Sequence, residues 1–377
     1  MNTVDLHHLI DGPTDAPAVV LFPSLGSTLE LWEPQVAALA EHFRVVRVDP
    51  RGHGGSPVPQ GPYTIDEIGG DVVALLDRLG IDRAHVVGVS LGGMVAMWMA
   101  INHPDRVGRI VPAATAAALP EAGFAARAAA VREGGTAAVA DAVLDRWLTP
   151  EARDADPARA ARMKSWVLDT PDEGYAASCE AIDAMDLLGG LPGITAPTLV
   201  ISGLRDPAIP PEHQVRIAAG IPGARLAAVD AAHIPNVELP ERVTALILEH
   251  LLAHDPHADG MTVRRAVLGD EHVDRAVAST TALTAPFQDF ITRYAWGDVW
   301  TRPGLDRRSR SMITLALLCG LGHENELAMH VRAGIRNGLT PEEIGEVLLH
   351  TAVYAGVPTA NSGLKIAQET LGELGLA

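Results

Sequence analysis

Short aliphatic runs separated by polar loops characterise the first two-thirds of the chain. Four of these runs lie at 18–22, 84–87, 198–201 and 225–229. Runs of four or five such residues bounded by turn signals are typical of strands buried on both faces. Helical patterns follow two of the runs, so this part of the sequence predicts a mostly parallel sheet covered by helices.

The strand pattern stops between about residues 119 and 188. This segment is rich in Ala, Arg and Glu, and its composition and periodicity predict several helices. It lies between two predicted strands of the same sheet. We therefore expect a helical insertion within an otherwise alternating α/β fold.

A change of pattern near residue 253 divides the chain. The last helix of the first part ends near Leu252, and residues 253–260 are polar, contain Pro and Gly, and have no periodicity. A new apolar pattern begins at Val263. A chain of 377 residues is long enough for two domains. We predict three parts: a domain over 1–253, a linker at 254–260 and a domain over 261–377.

The second domain is predicted to contain only helices. Asp306 is the expected N-cap of a helix that runs to about Cys319. Residues 340–343 (Thr-Pro-Glu-Glu) form a capping box with proline at the first helical position. The helix that follows carries apolar residues on more than one face, which predicts that more than one side of it is buried.

Composition narrows the class of partner. The chain is 47% hydrophobic and has a net charge of −18, which argues against nucleic acid or an anionic membrane as a partner. The same charge opposes acidic substrates at long range, so a dicarboxylate would need local arginines. We expect a cytoplasmic protein, because the sequence has neither an apolar run of about 18 residues nor a basic leader. Cys179 and Cys319 indicate neither a disulfide framework nor a metal site.

A glycine-rich turn at 88–93 (Gly-Val-Ser-Leu-Gly-Gly) joins the strand at 84–87 to a predicted helix. A serine on such a sharp strand-to-helix turn is presented at the sheet edge, and flanking glycines avoid collisions with the adjacent strand and helix. The backbone N–H groups after the serine point toward a substrate carbonyl oxygen. Ser90 is therefore the candidate nucleophile.

An acid and a base follow Ser90 at the ends of two later predicted strands. Asp206 lies in the loop after the third aliphatic run, and His233 lies in the loop after the fourth. In parallel α/β sheets, ligands bind at the carboxyl ends of the strands. We predict that His233 takes the serine proton, while Asp206 fixes its tautomer and stabilises the imidazolium.

Other histidines compete for the role of base. His53 follows another strand end and is the strongest alternative, although it precedes Ser90 and so breaks the chain order of this type of triad. His213 and His250 are predicted on exposed faces of helices. We therefore favour His233.

The loop after the strand at 18–22 is the predicted source of an oxyanion-hole donor. We assign the backbone N–H groups of Leu25 and Leu91 to this role. The loop has no His-Gly pair of the kind common in such loops. A backbone donor does not depend on the identity of its side chain, so this difference changes little.

Four segments of the first domain resemble one family. They are Ser-Leu-Gly at 24–26, Asp-Pro-Arg-Gly-His-Gly at 49–54, the turn at 88–93 and Ala-His-Ile-Pro-Asn at 232–236. Together they look like 3-oxoadipate enol-lactone hydrolases of the α/β-hydrolase superfamily, over about residues 1–253. The resemblance implies a helical cap over the active site at about 119–188. Within that cap, Trp147 either faces substrate or anchors the cap to the core.

One polar cluster interrupts the apolar pattern of the second domain. His323, Glu326 and His330 are spaced i, i+3 and i+7, so they share one face of a predicted helix. Such a face is solvated in many proteins, and the spacing also suits a metal site or an acid–base pair. Spacing alone leaves these three interpretations open.

Four segments of the second domain resemble another family. They lie at 263–270, 295–305, 326–332 and 356–362. Together they look like 4-carboxymuconolactone decarboxylase over nearly all of 261–377. Thiol peroxidase-like members of the wider family carry Cys-x-x-Cys-x-x-x-His on the same helix. In that register His323 and Glu326 occupy the cysteine positions and His330 keeps the histidine. The resemblance therefore implies acid–base chemistry in place of disulfide chemistry.

The two resemblances imply consecutive reactions of protocatechuate breakdown. Loss of CO2 from 4-carboxymuconolactone gives 3-oxoadipate enol-lactone, which the hydrolase opens to 3-oxoadipate. We expect no metal or other cofactor, because the electrons left by CO2 delocalise through the ring alkene into the lactone carbonyl. His330 is the expected proton donor and Glu326 its partner or the second acid, with His323 a weaker candidate. Candidate residues for binding substrate carboxylates are Arg302, Arg310 and Arg332.

A different class of function stays open for the second domain. Its helices are also interpretable as an oligomerisation module carried by a working hydrolase, because the family resembles helical proteins that form rings. A general esterase with an unrelated decarboxylase attached is a further alternative. Three titratable groups on an otherwise apolar helix favour a catalytic domain. We expect a homo-oligomer formed through it.

Overall fold

The computed structural model describes residues 2–119, 123–253 and 255–376. The chain divides into two compact units, Met1–Leu252 and Ala253–Ala377. This division lies one residue before the predicted end of the first domain.

A seven-stranded sheet forms the centre of the first unit. Its strands are β1 (His8–Asp11), β2 (Ala18–Phe22), β3 (Arg44–Val48), β4 (Ala84–Val89), β5 (Val107–Ala113), β6 (Leu199–Gly203) and β7 (Arg225–Val229). The order across the sheet is β1-β3-β2-β4-β5-β6-β7. Only β1 runs antiparallel, against β3, and the described strands otherwise pair in parallel. The predicted runs at 18–22 and 225–229 coincide with β2 and β7.

Helices cover this sheet and form an insertion between β5 and β6. Outside the insertion they are α1 (Glu33–Ala40), α2 (Ile65–Arg78), α3 (Leu91–Asn102), α9 (Pro211–Gly220), α10 (Pro235–Glu238) and α11 (Pro240–Leu251). The insertion contains α4 (Phe124–Gly134), α5 (Ala140–Trp147), α6 (Pro150–Ala155), α7 (Pro157–Asp169) and α8 (Asp172–Ala184). Short 3-10 helices lie at Leu29–Trp32, Pro104–Arg106, Thr136–Ala138 and Leu188–Gly193. The predicted helical segment at about 119–188 corresponds to this insertion, and residues 120–122 lie outside the described ones.

Burial explains why the central strands carry no polar alternation. All five residues of β2 and all five of β6 are buried, as expected for parallel strands covered on both faces. One continuous hydrophobic core runs from the sheet into the insertion, and it includes Val86, Met163 and Tyr175. The insertion is therefore fixed to the sheet by packing, which gives the space between them a defined shape.

The described residues of the second unit form helices joined by turns, and they contain no strand. Its helices are α12 (Pro256–Leu268), α13 (Asp270–Ala278), α14 (Ala285–Ile291), α15 (Arg307–Leu321), α16 (Glu324–Arg336), α17 (Pro341–Ala355) and α18 (Val357–Glu373). A π-helix at Thr292–Val299 continues α14. Asp306 caps α15, and the capping box of Thr340 and Glu343 begins α17, as the sequence predicts.

The predicted linker at 254–260 is wrong from Pro256 onward, because α12 begins there. Asp255 Oδ1 accepts the N–H groups of His257 and Ala258, both at 3.1 Å, and Pro256 occupies the first turn. These are helix-start signals, which outweigh the lack of apolar periodicity in a single turn. Gly260 is buried in this helix, where a Cβ atom would lie 2.1 Å from the carbonyl oxygen of Thr292. His254 lies outside the described residues.

Candidate active sites

The predicted nucleophile lies on a strained turn between β4 and α3. Ser90 has φ 57° and ψ −114°, an unfavourable conformation for a residue with a side chain. Its N–H donates to Ala113 O at 2.9 Å, and its carbonyl oxygen accepts the hydroxyl of Thr115 at 2.7 Å. A Cβ atom on Gly92 would lie 2.1 Å from the carbonyl oxygen of Phe22. Glycine therefore permits the close approach that the turn requires.

The structure brings Asp206 and His233 into direct contact. His233 Nδ1 donates to Asp206 Oδ2 at 2.8 Å, and both side chains are buried. The other oxygen, Asp206 Oδ1, accepts the N–H groups of Ala208 and Ile209 at 2.8 and 2.9 Å. These three bonds fix the imidazole with Nδ1 protonated, which leaves Nε2 as the basic nitrogen.

Ser90 and His233 line one cavity of about 300 Å³ under the helical insertion. Leu25 lines the same cavity, and Leu91 N is the first amide of α3. The next amide along the first loop, that of Gly26, donates to His53 Nε2 at 3.0 Å. The N–H of Gly26 is therefore already bonded and is not a free oxyanion donor. The assignment of the Leu25 and Leu91 N–H groups to the oxyanion hole stays a prediction, and it is compatible with this geometry.

His53, the alternative base, has a different partner set. Its Nδ1 donates to Arg51 O at 3.0 Å, its Nε2 accepts from Gly26, and its side chain is fully buried. Burial lowers the pKa of His53 to about 4, so the ring is neutral. Both nitrogens are engaged, and the residue holds the loop that carries Leu25.

The prediction that His250 lies on an exposed helix face is wrong. His250 is 4% exposed, and its Nε2 lies 3.2 Å from Pro197 O. Burial also lowers the pKa of His250 to about 4. The buried face of α11 is set by packing on the sheet, which a single histidine in a helical pattern does not reveal.

The insertion contributes cationic and aromatic groups to the cavity. Trp147 is 3% exposed, lines the cavity and belongs to the main core. It therefore both faces the cavity and anchors the insertion to the core. Arg127 and Arg146 line the cavity as well. The buried Tyr175 hydroxyl lies beside Arg127, and burial raises the pKa of Tyr175 to about 12. Sequence reasoning missed these arginines, because the insertion contains many and no spacing distinguishes them.

In the second unit, the three residues of the predicted polar face differ in how far they are buried. The helix α16 begins at Glu324, so His323 precedes it as the N-cap residue and the prediction that it shares a helical face is wrong. His323 and Glu326 are exposed, whereas His330 is only 9% exposed. The Nδ1 atom of His330 is buried and has no hydrogen-bond partner among the described residues. One residue of the three therefore faces the interior.

The environment of His330 favours the neutral imidazole. Burial lowers the pKa of His330 to about 4, His272 on α13 lowers it further, and Glu326 opposes the shift. A buried imidazole without an acceptor for its proton resists charging until an anion arrives. With this pKa, His330 is a neutral imidazole at neutral pH.

The three predicted carboxylate-binding arginines lie in different settings. Arg332 pairs with Glu373, and Arg310 donates to the carbonyl oxygens of Leu305 and Arg302. Arg302 is exposed and lines a wide surface depression beside Trp300. Their role in substrate binding stays a prediction, and the structure gives Arg332 a partner that already neutralises it.

Neither a metal centre nor a membrane span is found in the described part of the chain. No group of three or more His, Cys, Asp or Glu residues there is arranged to hold a metal ion. No helix there is long and apolar enough to cross a bilayer. Cys179 and Cys319 are buried free thiols.

Each unit has relatives of its own among known proteins. Residues 17–240 match the alpha/beta hydrolase fold family, and residues 285–369 match the carboxymuconolactone decarboxylase family. The first unit is 38% identical to 3-oxoadipate enol-lactonase 2 of Acinetobacter baylyi over 63% of this chain and 90% of that protein. The 4-carboxymuconolactone decarboxylase of the same organism is 46% identical over 32% of this chain and 90% of that protein.

A solved structure extends the comparison of the first unit. The crystal structure of the enol-lactonase from Burkholderia xenovorans LB400 is 44% identical, with a TM-score of 0.66, and the match covers 66% of this chain and 97% of that one. Together the matches account for both units with little overlap. The chain therefore belongs to the α/β-hydrolase family through its first unit and to the carboxymuconolactone decarboxylase family through its second.

Proposed function

We propose that this chain is a bifunctional enzyme that decarboxylates 4-carboxymuconolactone and then hydrolyses the resulting 3-oxoadipate enol-lactone to 3-oxoadipate. The observation that carries the proposal is that one chain joins relatives of both enzymes, each covered over 90% of its length. The product of the first reaction is the substrate of the second. The Asp206–His233 contact beside Ser90 supports the hydrolytic step.

In the hydrolytic step, Ser90 Oγ attacks the lactone carbonyl while His233 Nε2 takes its proton. The carbonyl oxygen becomes an oxyanion, for which the N–H groups of Leu25 and Leu91 are the proposed donors. The ring C–O bond then breaks, and the leaving enolate becomes a ketone on protonation. Water activated by His233 releases the acyl group from Ser90 and completes the cycle.

The carboxylate side chain of the enol-lactone needs a cation in a protein of net charge −18. Arg127 and Arg146 supply two in the cavity that holds Ser90 and His233. A guanidinium pairs with a carboxylate through two parallel hydrogen bonds, which also fixes the orientation of the lactone ring. We propose these arginines as the substrate-anchoring residues of the first unit.

In the decarboxylation step, the bond between the ring carbon and its carboxylate breaks. The electron pair moves through the ring alkene to the lactone carbonyl oxygen, and a proton then adds to the carbon beside that carbonyl. His330 is the proposed group at this site, with Glu326 as the second acid. Since His330 is neutral in the empty site, its first task is to donate a hydrogen bond to the carbonyl oxygen. The negative charge of a bound substrate raises its pKa and allows it to supply the proton.

The second unit is also the proposed site of self-association, with a second copy of this chain as the partner. The sequence predicts that α17 is buried on more than one side, but the chain itself buries only the side with Ile344 and Leu348. On the other side Leu349, Val353 and Tyr354 are 57%, 75% and 80% exposed. Apolar residues placed together on one face are typical of an interface. Sedimentation of the wild type and of Val353→Lys tests this, and an unchanged mass would contradict it.

The function is tested by supplying 4-carboxymuconolactone to the purified chain and following CO2, enol-lactone and 3-oxoadipate over time. We expect CO2 and 3-oxoadipate in equal amounts after a transient of enol-lactone. Hydrolysis of added enol-lactone without CO2 release from carboxymuconolactone would instead favour a lactonase with a non-catalytic helical oligomerisation unit. Faster turnover of p-nitrophenyl acetate than of enol-lactone would favour a general esterase.

A further inference from the structure

Arg264 is a buried arginine in the second unit that has no acidic partner among the described residues. It lies on α12, is 5% exposed, and its Nη1 donates to Thr292 Oγ1 at 3.3 Å. Its Nε atom is buried and has no hydrogen-bond partner. By contrast, the adjacent Arg265 is partly exposed and pairs with Asp270 and Asp274. Arginine is almost never fully buried unless it is paired, so an unpaired one indicates a missing anion.

Burial lowers the pKa of Arg264, and no described carboxylate acts on it. His272 on α13 lies close enough that Arg264 lowers its pKa, after the effect of burial. His272 in turn lowers the pKa of His330, whose Nδ1 is also buried without a hydrogen-bond partner among the described residues. Helix α12 packs against α13, α16 and the π-helix, and the shared apolar cluster includes Val267 and Trp296. Arg264, His272 and His330 thus lie on three helices that all contribute residues to this apolar cluster.

We infer that Arg264 is a substrate-binding residue that pairs with a carboxylate of the decarboxylase substrate. The inference rests on the proposed function and extends it to a residue outside the predicted polar face. An incoming carboxylate would satisfy Nε and one Nη of Arg264 through a bidentate contact. It would also remove the cost of holding an unpaired cation in an apolar environment.

The chemistry selects which of the two substrate carboxylates Arg264 holds. The carboxylate on the ring loses its charge as CO2 forms, so a cation beside it stabilises the substrate more than the transition state. The carboxylate of the side chain keeps its charge throughout the reaction. A buried arginine paired with the retained carboxylate holds the ring in place without slowing the loss of CO2. We therefore assign the side-chain carboxylate to Arg264.

A pair of substrate analogues tests this assignment. The first has hydrogen in place of the ring carboxylate and keeps the side-chain carboxylate; the second is its methyl ester, which lacks that charge. Both are measured as competitive inhibitors of CO2 release. We expect Arg264→Met to weaken inhibition by the carboxylate analogue about 100-fold and to leave inhibition by the ester unchanged. Equal weakening of both inhibitors, or of neither, would overturn the inference.

The melting temperature separates a substrate-binding arginine from a purely structural one. Replacing a structural arginine would lower it, whereas replacing a substrate-binding one would not. Removing an unpaired buried cation is expected to leave the melting temperature of the empty second unit unchanged or higher. The carboxylate analogue should raise the melting temperature of the wild type and not that of the variant. A lower melting temperature for the empty variant with an unchanged shift by the analogue would overturn the inference.

Two further variants keep the test decisive. Arg265→Met removes a cation from the same helix and should change neither inhibitor, because Arg265 is already paired. If Arg264→Met does not fold, Arg264→Lys decides, since it keeps the charge and loses the bidentate geometry. A loss confined to the carboxylate analogue supports the inference, and equal losses contradict it. No CO2 from the wild type would refute the proposed decarboxylation, whereas the melting shift by the analogue still tests the anion contact.

Discussion

The two candidate sites differ in how far their polar groups are satisfied before any substrate is bound. In the first unit, Asp206 accepts three hydrogen bonds and holds His233 in one tautomer. In the second unit, His330 and Arg264 each have a buried nitrogen without a hydrogen-bond partner among the described residues. The acid and base of the first site are therefore fixed within the protein, whereas two buried nitrogens of the second site stay available to a ligand.

This difference follows from the chemistry proposed for each unit. A serine nucleophile has to be activated by the protein itself, so its base and acid are fixed in advance on strand ends. A decarboxylation with its own electron sink asks the protein mainly to position a dianion and supply one proton. Polar groups held apart from partners are then available to the substrate, at a cost to the stability of the empty unit.

The sharpest test of this division is the loss of the nucleophile. Ser90→Ala should lower lactone opening by about 10⁴- to 10⁶-fold, because the covalent route disappears. CO2 release should continue, so enol-lactone accumulates; both products are followed by chromatography. Asp206→Asn and His233→Ala should also lower lactone opening and leave CO2 release intact. The effect of Asp206→Asn should be the milder of the two. Equal loss of both activities in a folded Ser90→Ala protein would contradict the two-site model.

The reciprocal change removes the proposed acid of the second unit. His330→Ala should lower CO2 release by about 10²- to 10⁴-fold, and Glu326→Ala by less, because Glu326 is exposed. Hydrolysis of added enol-lactone should stay near the wild-type rate. EDTA should affect neither reaction, and inhibition that zinc or manganese reverses would instead indicate a metal site. Full decarboxylase activity in a protein that carries both His330→Ala and Glu326→Ala would show that another residue supplies the proton. His323 would then be the next candidate to substitute.

The stability of the two units should respond differently to low pH, because they contain different numbers of buried histidines. Burial lowers the pKa of His53, His85 and His250 to about 4 in the first unit, and that of His330 to about 4 in the second. Between pH 6.5 and 4 the unfolded chain binds these protons and the folded chain does not, so stability falls as the pH falls. The loss is on the order of 3 kcal/mol per histidine.

The first unit should therefore lose more stability than the second over this range. Calorimetry at pH 7 and at pH 5 shows which unit loses more stability. Each unfolding transition is assigned to a unit by adding a ligand of that unit's site and observing which transition shifts. A first unit that resists acid better than the second would show that other groups dominate the pH dependence.

A smaller effect concerns the anchoring of substrate in the first unit. Arg127→Met should raise the KM for enol-lactone by about 10- to 100-fold, because one cation is lost from the cavity. The KM for the uncharged p-nitrophenyl acetate should not change. Arg153→Met is the matched control, since Arg153 pairs with Asp145 and does not line the cavity. Equal changes for both substrates would assign Arg127 a structural role.

Separating the units should have the smallest effect on either activity. A cut between residues 253 and 255 leaves α12 intact, and we expect two folded proteins that each keep their own reaction. A cut after Gly260 removes the first turn of α12, which packs on the π-helix, and should destabilise the second protein. Melting curves and both assays on the isolated pieces compare the cuts. Equal stability after both cuts would show that this turn contributes little.

The sequence predicts those parts of the sites whose position is set by local structure. Ser90, Asp206 and His233 each follow a short apolar strand, and the carboxyl ends of parallel strands lie at one edge. The exposure of His250 and the membership of His323 in a helix were wrong, since each depends on packing or on the residue where a helix starts. Arg127 and Arg264 were missed for a related reason. An arginine becomes informative only when its partners are known, and partners are a tertiary property.

The presence of both units on one chain has a kinetic consequence. The two sites are always made in equal number, so the steady level of enol-lactone does not depend on how much protein is present. It equals the turnover rate of the decarboxylase divided by the kcat/KM of the lactonase. With typical values of about 10 s⁻¹ and about 10⁶ M⁻¹s⁻¹, the intermediate settles near 10 μM. Expression can rise or fall without the reactive lactone accumulating.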